Sequence, residues 1–303
     1  MKGFPKNARV CFIGDSITHD NGFVSYISAY YHENLKDREV NFYNCGVAGA
    51  RIRTALPILD KDVLSHNPTH AVIMLGINDS SHWSLSLPKS LERYDILVNA
   101  YEIYQQNLRE ICKRLCEKNV EIILCTPTPY DEYQNTDSET RRGGYALIAG
   151  YAQCVRDFAR ELNYPLCDYH LYFSRTLQSE TLIQKDRVHP NDLGQFHIAK
   201  CFLAFQGYDI GEYKPLPSYM DLWREKVSVY RNIWAAERLI IDKYDISTEE
   251  QLVAIKAYVE ENEGDEEKAH IVGMGKKYLE TKHLQDKLNE EINYLMEVEF
   301  KKR

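Results

Sequence analysis

No window of 18 apolar residues occurs in this 303-residue chain, so no membrane-spanning helix is expected, since a crossing needs about 20 such residues. The opening Met-Lys-Gly-Phe-Pro-Lys lacks the apolar stretch of a secretory leader. A cytoplasmic setting with reduced thiols is therefore the expectation. All eight cysteines (Cys11, Cys45, Cys112, Cys116, Cys125, Cys154, Cys167 and Cys201) precede residue 206. Most fall within strand- or helix-like runs, where they serve as small core side chains. Cys112 and Cys116 share a helix face at i, i+4, but no His or carboxylate completes a zinc set. Neither a metal nor a cofactor is expected. A basic excess is missing too. The net charge is −8, and residues 1–205 carry 22 Lys/Arg against 24 Asp/Glu, whereas residues 206–303 carry 15 against 21. Acidity gathered in the last third argues against nucleic acid as a partner, because phosphates need a basic face.

What is present is an alternation. Short apolar runs at 8–13, 39–44, 70–75, 120–125 and, more weakly, 164–167 read as strands covered on both faces. Helix-like stretches fall between and after them, at about 22–35, 53–65, 91–118, 142–162 and 191–205. Strand–helix alternation predicts an α/β fold, a parallel sheet sandwiched by helices in three layers. Composition shifts near residue 206. Gly207, Gly211, Pro215 and Pro217 punctuate a linker over 206–217, which separates a main domain, 1–205, from a tail, 218–303. The tail shows helical spacing at 218–243 and 276–298, and Ser247 with Glu250 forms a capping-box pattern opening a helix over about 248–262. A C-terminal helical appendage is expected, packing on the main domain or forming a homodimer contact, with a lid over the site as the other arrangement.

Four segments carry chemistry, and all follow a strand or precede a helix on the predicted ligand edge of a parallel sheet. Gly14-Asp15-Ser16 follows the first strand, and places a hydroxyl and a backbone N–H at a helix start. Asn44-Cys45-Gly46-Val47-Ala48-Gly49 follows the second, where glycine lets the backbone approach a substrate. Gly76-Ile77-Asn78-Asp79 follows the third, and an Asn there can aim its amide at an oxyanion. Asp186-Arg187-Val188-His189-Pro190-Asn191 precedes the last helix of the main domain, with a carboxylate three residues before a His that it can orient. Taken singly, each is equally an ordinary turn or helix cap.

Together, and in this order, the four blocks resemble the SGNH/GDSL hydrolase family over about residues 7–205. The resemblance implies an SGNH/flavodoxin-like fold with a five-stranded parallel sheet in the order 2-1-3-4-5. It implies Ser16 as nucleophile, His189 as general base and Asp186 as the orienting acid. The oxyanion hole would comprise the N–H groups of Ser16 and Gly49 and the side chain of Asn78. Gly49 is chosen over Gly46 because the family's donor glycine ends its block. No Gly-x-Ser-x-Gly nucleophile elbow is present.

Asp15, His19 and His82 are the candidate substrate contacts, with Trp83 beside His82. Arg141-Arg142-Gly143-Gly144 reads as a solvated turn or as a loop that recognises an anion. Asp168 reads as a turn cap. The leading function is a serine esterase that removes a short acyl group, acetyl for instance, from a carbohydrate or other small molecule. A lysophospholipase or thioesterase, an acyltransferase, and a binding or scaffold protein with a relict site are the alternatives.

Overall fold

The computed structural model describes residues 3–20, 22–137, 140–211 and 248–266, together with positions 268, 269, 272, 273, 275, 276 and 279. The chain divides into two compact units, Met1–Lys214 and Pro215–Arg303. The first contains five strands, β1 (Arg9–Gly14), β2 (Asn41–Gly46), β3 (His70–Met74), β4 (Glu121–Cys125) and β5 (Leu166–Cys167). All neighbours pair in parallel, in the order β2-β1-β3-β4-β5, the topology that the resemblance implies.

Successive residues of a strand point to opposite faces, and here both faces are apolar. Val10, Phe12, Val72, Met74 and Ile123 enter one core. It is completed by α2 (Gly22–Asn34) and α8 (Asp192–Phe205), through Phe23, Val24, Ile27, Ile198 and Phe202. Cys11, Ile13, Ala71, Ile73, Ile122 and Leu124 enter the other, against α5 (Leu91–Glu117) and α6 (Gly144–Glu161), through Leu108, Ile111, Leu115, Tyr151 and Val155. The result is the three-layer α/β/α arrangement, and the continuous apolar strand runs are its cause.

Two elements depart from expectation. The helix expected over 53–65 is two short helices, α3 (Ile52–Ala55) and α4 (Leu59–Asp62). Pro57 lies between them; it has no N–H to donate, and its ring clashes with the carbonyl four residues back. An unforeseen helix, α7 (Tyr169–Thr176), follows β5 directly. Asp168 is its N-cap, accepting from Leu171 N at 3.0 Å. It therefore caps a helix rather than a turn, and Arg156 grips the same carboxylate at 2.7 and 2.9 Å. Of the two cysteines on α5, Cys112 is buried in the core whereas Cys116 is exposed, with its Sγ 3.1 Å from the Tyr164 hydroxyl.

In the second unit, α9 (Thr248–Glu261) carries Tyr258 and Val259, which cluster with Val272. The helix expected over 218–243 lies outside the described residues, as does that over 276–298 apart from residues 276 and 279. Among the described residues, no helix is long and apolar enough to cross a membrane.

Candidate active site

The site is assembled from the ends of three neighbouring strands and one loop. After β1 the chain turns at Asp15 into a short helix, α1 (Ser16–His19). The Asp15 carboxylate caps this helix, accepting from Ile17 N at 3.0 Å, and Ser16 is its first residue. Ser16 Oγ lies 2.7 Å from His189 Nε2, and His189 Nδ1 lies 2.5 Å from Asp186 Oδ2. An ionised carboxylate can only accept, so the proton between them belongs to Nδ1. Nε2 is then left with a lone pair facing the hydroxyl. A hydroxyl, imidazole and carboxylate in this series can pass a proton from the first to the second while the third stabilises the resulting imidazolium.

The Asp186–His189 loop is built to hold that series. Asp186 Oδ1 accepts from the backbone N–H groups of Val188 and His189, each at 3.0 Å. Partial burial would raise the pKa of the carboxyl. The two backbone donors and the His189 ring outweigh that and hold it below the usual carboxylate range. Ile183 bridges Pro190 in antiparallel fashion, and Asn191 caps α8 by accepting from Gly194 N at 2.8 Å.

Two residues that the sequence reading passed over complete the framework. Arg187 is 3% exposed. Its guanidinium donates to the carbonyls of Asp131, Glu132 and Gln134 at 3.2, 3.3 and 2.7 Å. It holds φ at +69°, a conformation costly for a side-chain-bearing residue. Gln195, on α8, accepts from Phe23 N at 3.0 Å and donates to Ile17 O at 3.3 Å, which ties the helix after His189 to the helices after Ser16. Neither has a motif of its own; their signal is proximity to Asp186 and His189.

The other two blocks meet across the end of β2. Asn78 Nδ2 donates to Ala50 O at 3.1 Å, leaving its second amide proton for another acceptor. The two glycines of the second block differ. The N–H of Gly46 is spent on Asn44 Oδ1 at 2.9 Å, and a Cβ at Gly46 would lie 2.5 Å from His19 N, so this glycine serves close packing. Gly49 sits exposed at φ +73°, with open space where a Cβ would be. Glycine reaches that conformation without strain.

The remaining candidates are placed as follows. Asp15 is 2% exposed, so its carboxylate faces backbone rather than solvent. Burial, only partly offset by the Ile17 N–H and by His189, raises its pKa to about 6. Asp79 behaves alike. It accepts from Ile52 N at 2.8 Å, and burial, reinforced by the charge of Asp15, lifts its pKa to about 7. His19 ends α1, half-buried beside β2. The His82 ring pairs through Nδ1 with Ile77 O at 3.0 Å.

The sequence and the fold have counterparts among known proteins. The model of the GDSL-like Lipase/Acylhydrolase family matches residues 12–195. The chain belongs to this family, and is a serine hydrolase. No curated protein matches the chain. Among solved structures, BT4096, a gut microbial diltiazem-metabolizing enzyme, superposes with a TM-score of 0.78 at 17% identity, over 99% of this chain and 96% of its own. A catalytic mutant of Axe2, an acetylxylan esterase from Geobacillus stearothermophilus, gives a TM-score of 0.59 at 23% identity, over 71% of this chain and all of its own (100%). Both likenesses are of fold. LAE5, an alpha/beta hydrolase enzyme from the metagenome of Lake Arreo, Spain, gives 0.55 at 25% identity, over 67% of this chain and 97% of its own. Residues 12–195, which the model of this hydrolase family matches, include Ser16, Asn78, Asp186 and His189.

Proposed function

We propose that this hydrolase is an esterase that removes a short acyl group, such as acetyl, from a carbohydrate or other small molecule through an acyl-enzyme on Ser16. The observation that carries the reading is the unbroken series from Ser16 Oγ through His189 to Asp186, with contacts of 2.7 and 2.5 Å. Ser16 Oγ forms a bond to the acyl carbon as His189 Nε2 takes its proton. The negative charge on the carbonyl oxygen is met by the N–H groups of Ser16 and Gly49 and by the second amide proton of Asn78. On collapse the ester C–O bond breaks, and the departing alcohol takes the proton from His189. Water then repeats the sequence on the acyl-enzyme, releasing the acid and restoring Ser16.

The likeness to an acetylxylan esterase supports the choice of acetyl and of a carbohydrate alcohol. The test is hydrolysis of 4-nitrophenyl acetate, butyrate and octanoate. Acetate is expected to be cleaved with the highest kcat/KM, and Ser16→Ala to lose the activity by several orders of magnitude. A preference for octanoate would move the reading to a lysophospholipase. Undiminished hydrolysis by Ser16→Ala would remove the assignment of the nucleophile.

A further inference from the structure

Beside the oxyanion donors lies a cavity of about 270 Å³. It adjoins them through the chain itself, because Arg51 follows Ala50, the acceptor for the Asn78 amide, and Asp79 follows Asn78. Its walls include Arg51, Arg53, Trp83, Ile96, Asn99 and Ile103. The Trp83 indole is 45% exposed, an apolar plate large enough for a six-membered ring.

The charge in this cavity is unbalanced. Among the described residues, neither Arg51 nor Arg53 pairs with a carboxylate. The single acid in the wall, Asp79, is 5% exposed, with one oxygen bound to Ile52 N and the other buried. It forms no ion pair with either arginine. A second observation points the same way. Burial lowers the pKa of His82, opposed by the Ile77 carbonyl, and the Arg141 and Arg51 guanidinium groups push it further in the same direction. Two guanidinium groups therefore act on one ring beside the site, in a chain whose net charge is −8. Such a local reversal of sign concentrates anions, and a planar guanidinium matches a carboxylate in two-point contact.

We propose that this cavity binds a carboxylate carried by the substrate, so that the ester preferred by the enzyme is an anionic one whose ring lies against Trp83 and whose carboxylate is met by Arg51 and Arg53. The inference rests on the esterase reading above and narrows its substrate class.

The test compares two acetyl esters alike in acyl group and ring, 4-acetoxybenzoate and its neutral methyl ester. The full chain is expected to favour the anion in kcat/KM. Arg51→Gln should reduce the ratio of anionic to neutral kcat/KM at least tenfold, through KM, and Arg51→Lys should restore part of it. Raising the salt concentration from 0.05 to 0.5 M should lower the ratio in the parent, and by less in Arg51→Gln, where Arg53 alone remains. In parallel, calorimetric titration of Ser16→Ala with 4-acetoxybenzoate reads binding without turnover, and adding Arg51→Gln should weaken it at least tenfold. A parent that prefers the methyl ester, or a ratio and an affinity untouched by Arg51→Gln, would overturn the inference while leaving the esterase intact. Hydrolysis of neither ester, with anion binding retained and lost in Arg51→Gln, would sink the esterase reading and keep the anion site.

Discussion

Two groups of carboxylates flank Ser16, and their surroundings push them in opposite directions. The Asp186 side chain is 46% exposed and holds its proton less tightly than an ordinary carboxyl. Asp15 and Asp79, at 2% and 5% exposed, hold theirs up to about pH 6 and 7. The difference is one of donors as much as of solvent. Asp186 receives two backbone N–H groups and the His189 ring N–H. Asp15 and Asp79 each have one backbone donor from elsewhere in the chain, and burial prevails. The carboxylate proposed to steady an imidazolium therefore sits in a turn of N–H groups, whereas the two buried at the strand ends keep their protons to higher pH.

This contrast can be broken at its strongest point first. Asp186→Asn would leave the loop's shape in place but lose the charge and the tautomer preference. We expect kcat for 4-nitrophenyl acetate to fall by roughly 10⁴, with little change in the thermal unfolding midpoint. Asn78→Ala removes the side-chain donor opposite, and its kcat should fall by about 10²–10³, read in the same assay.

The buried pair is tested through stability rather than rate. Both folded pKa values lie above the ordinary carboxylate value, so the folded state keeps protons that the unfolded chain has released. The resulting penalty is absent below about pH 4, grows as pH rises to about 6 for Asp15 and about 7 for Asp79, and is constant above that. In urea titrations at pH 5 and pH 8, Asp79→Asn should therefore gain stability relative to the parent at the higher pH, on the order of 3 kcal/mol at most. Its Oδ1 can still accept from Ile52. Asp15→Asn should show the smallest effect: a change of less than about 1 kcal/mol at pH 5, because Asn caps a helix as well as Asp, and a modest gain by pH 8. If either variant instead loses stability as pH rises, the assignment of burial as the dominant influence is wrong.

The sheet was legible because its strands are buried on both faces. Val-Cys-Phe-Ile and Ala-Val-Ile-Met-Leu announce themselves without partners, and each ends at a turn bearing chemistry. The strand order came with the family resemblance rather than from the residues. The break at Pro57 was readable in principle, yet apolar spacing carried across it in the sequence reading, and a single proline decided otherwise. The helix after Asp168 went unseen because one capping residue looks the same before a turn and before a helix. At the site, Ser16, Asn78, Asp186 and His189 belong to short motifs. Arg187 and Gln195 do not. What they do depends on carbonyls and N–H groups far off in the chain, and no local pattern encodes that. Asp15 was legible as a residue but not in its burial, which follows from how α1 folds back over β2.

The Arg187 contacts imply something about heat. By lacing the carbonyls of residues 131, 132 and 134 to the backbone between Asp186 and His189, this one side chain makes the proposed acid and base a prefabricated unit rather than two parts that must find each other at every turnover. On warming, the enzyme should fall silent when that lacing slips, while its sheet still stands.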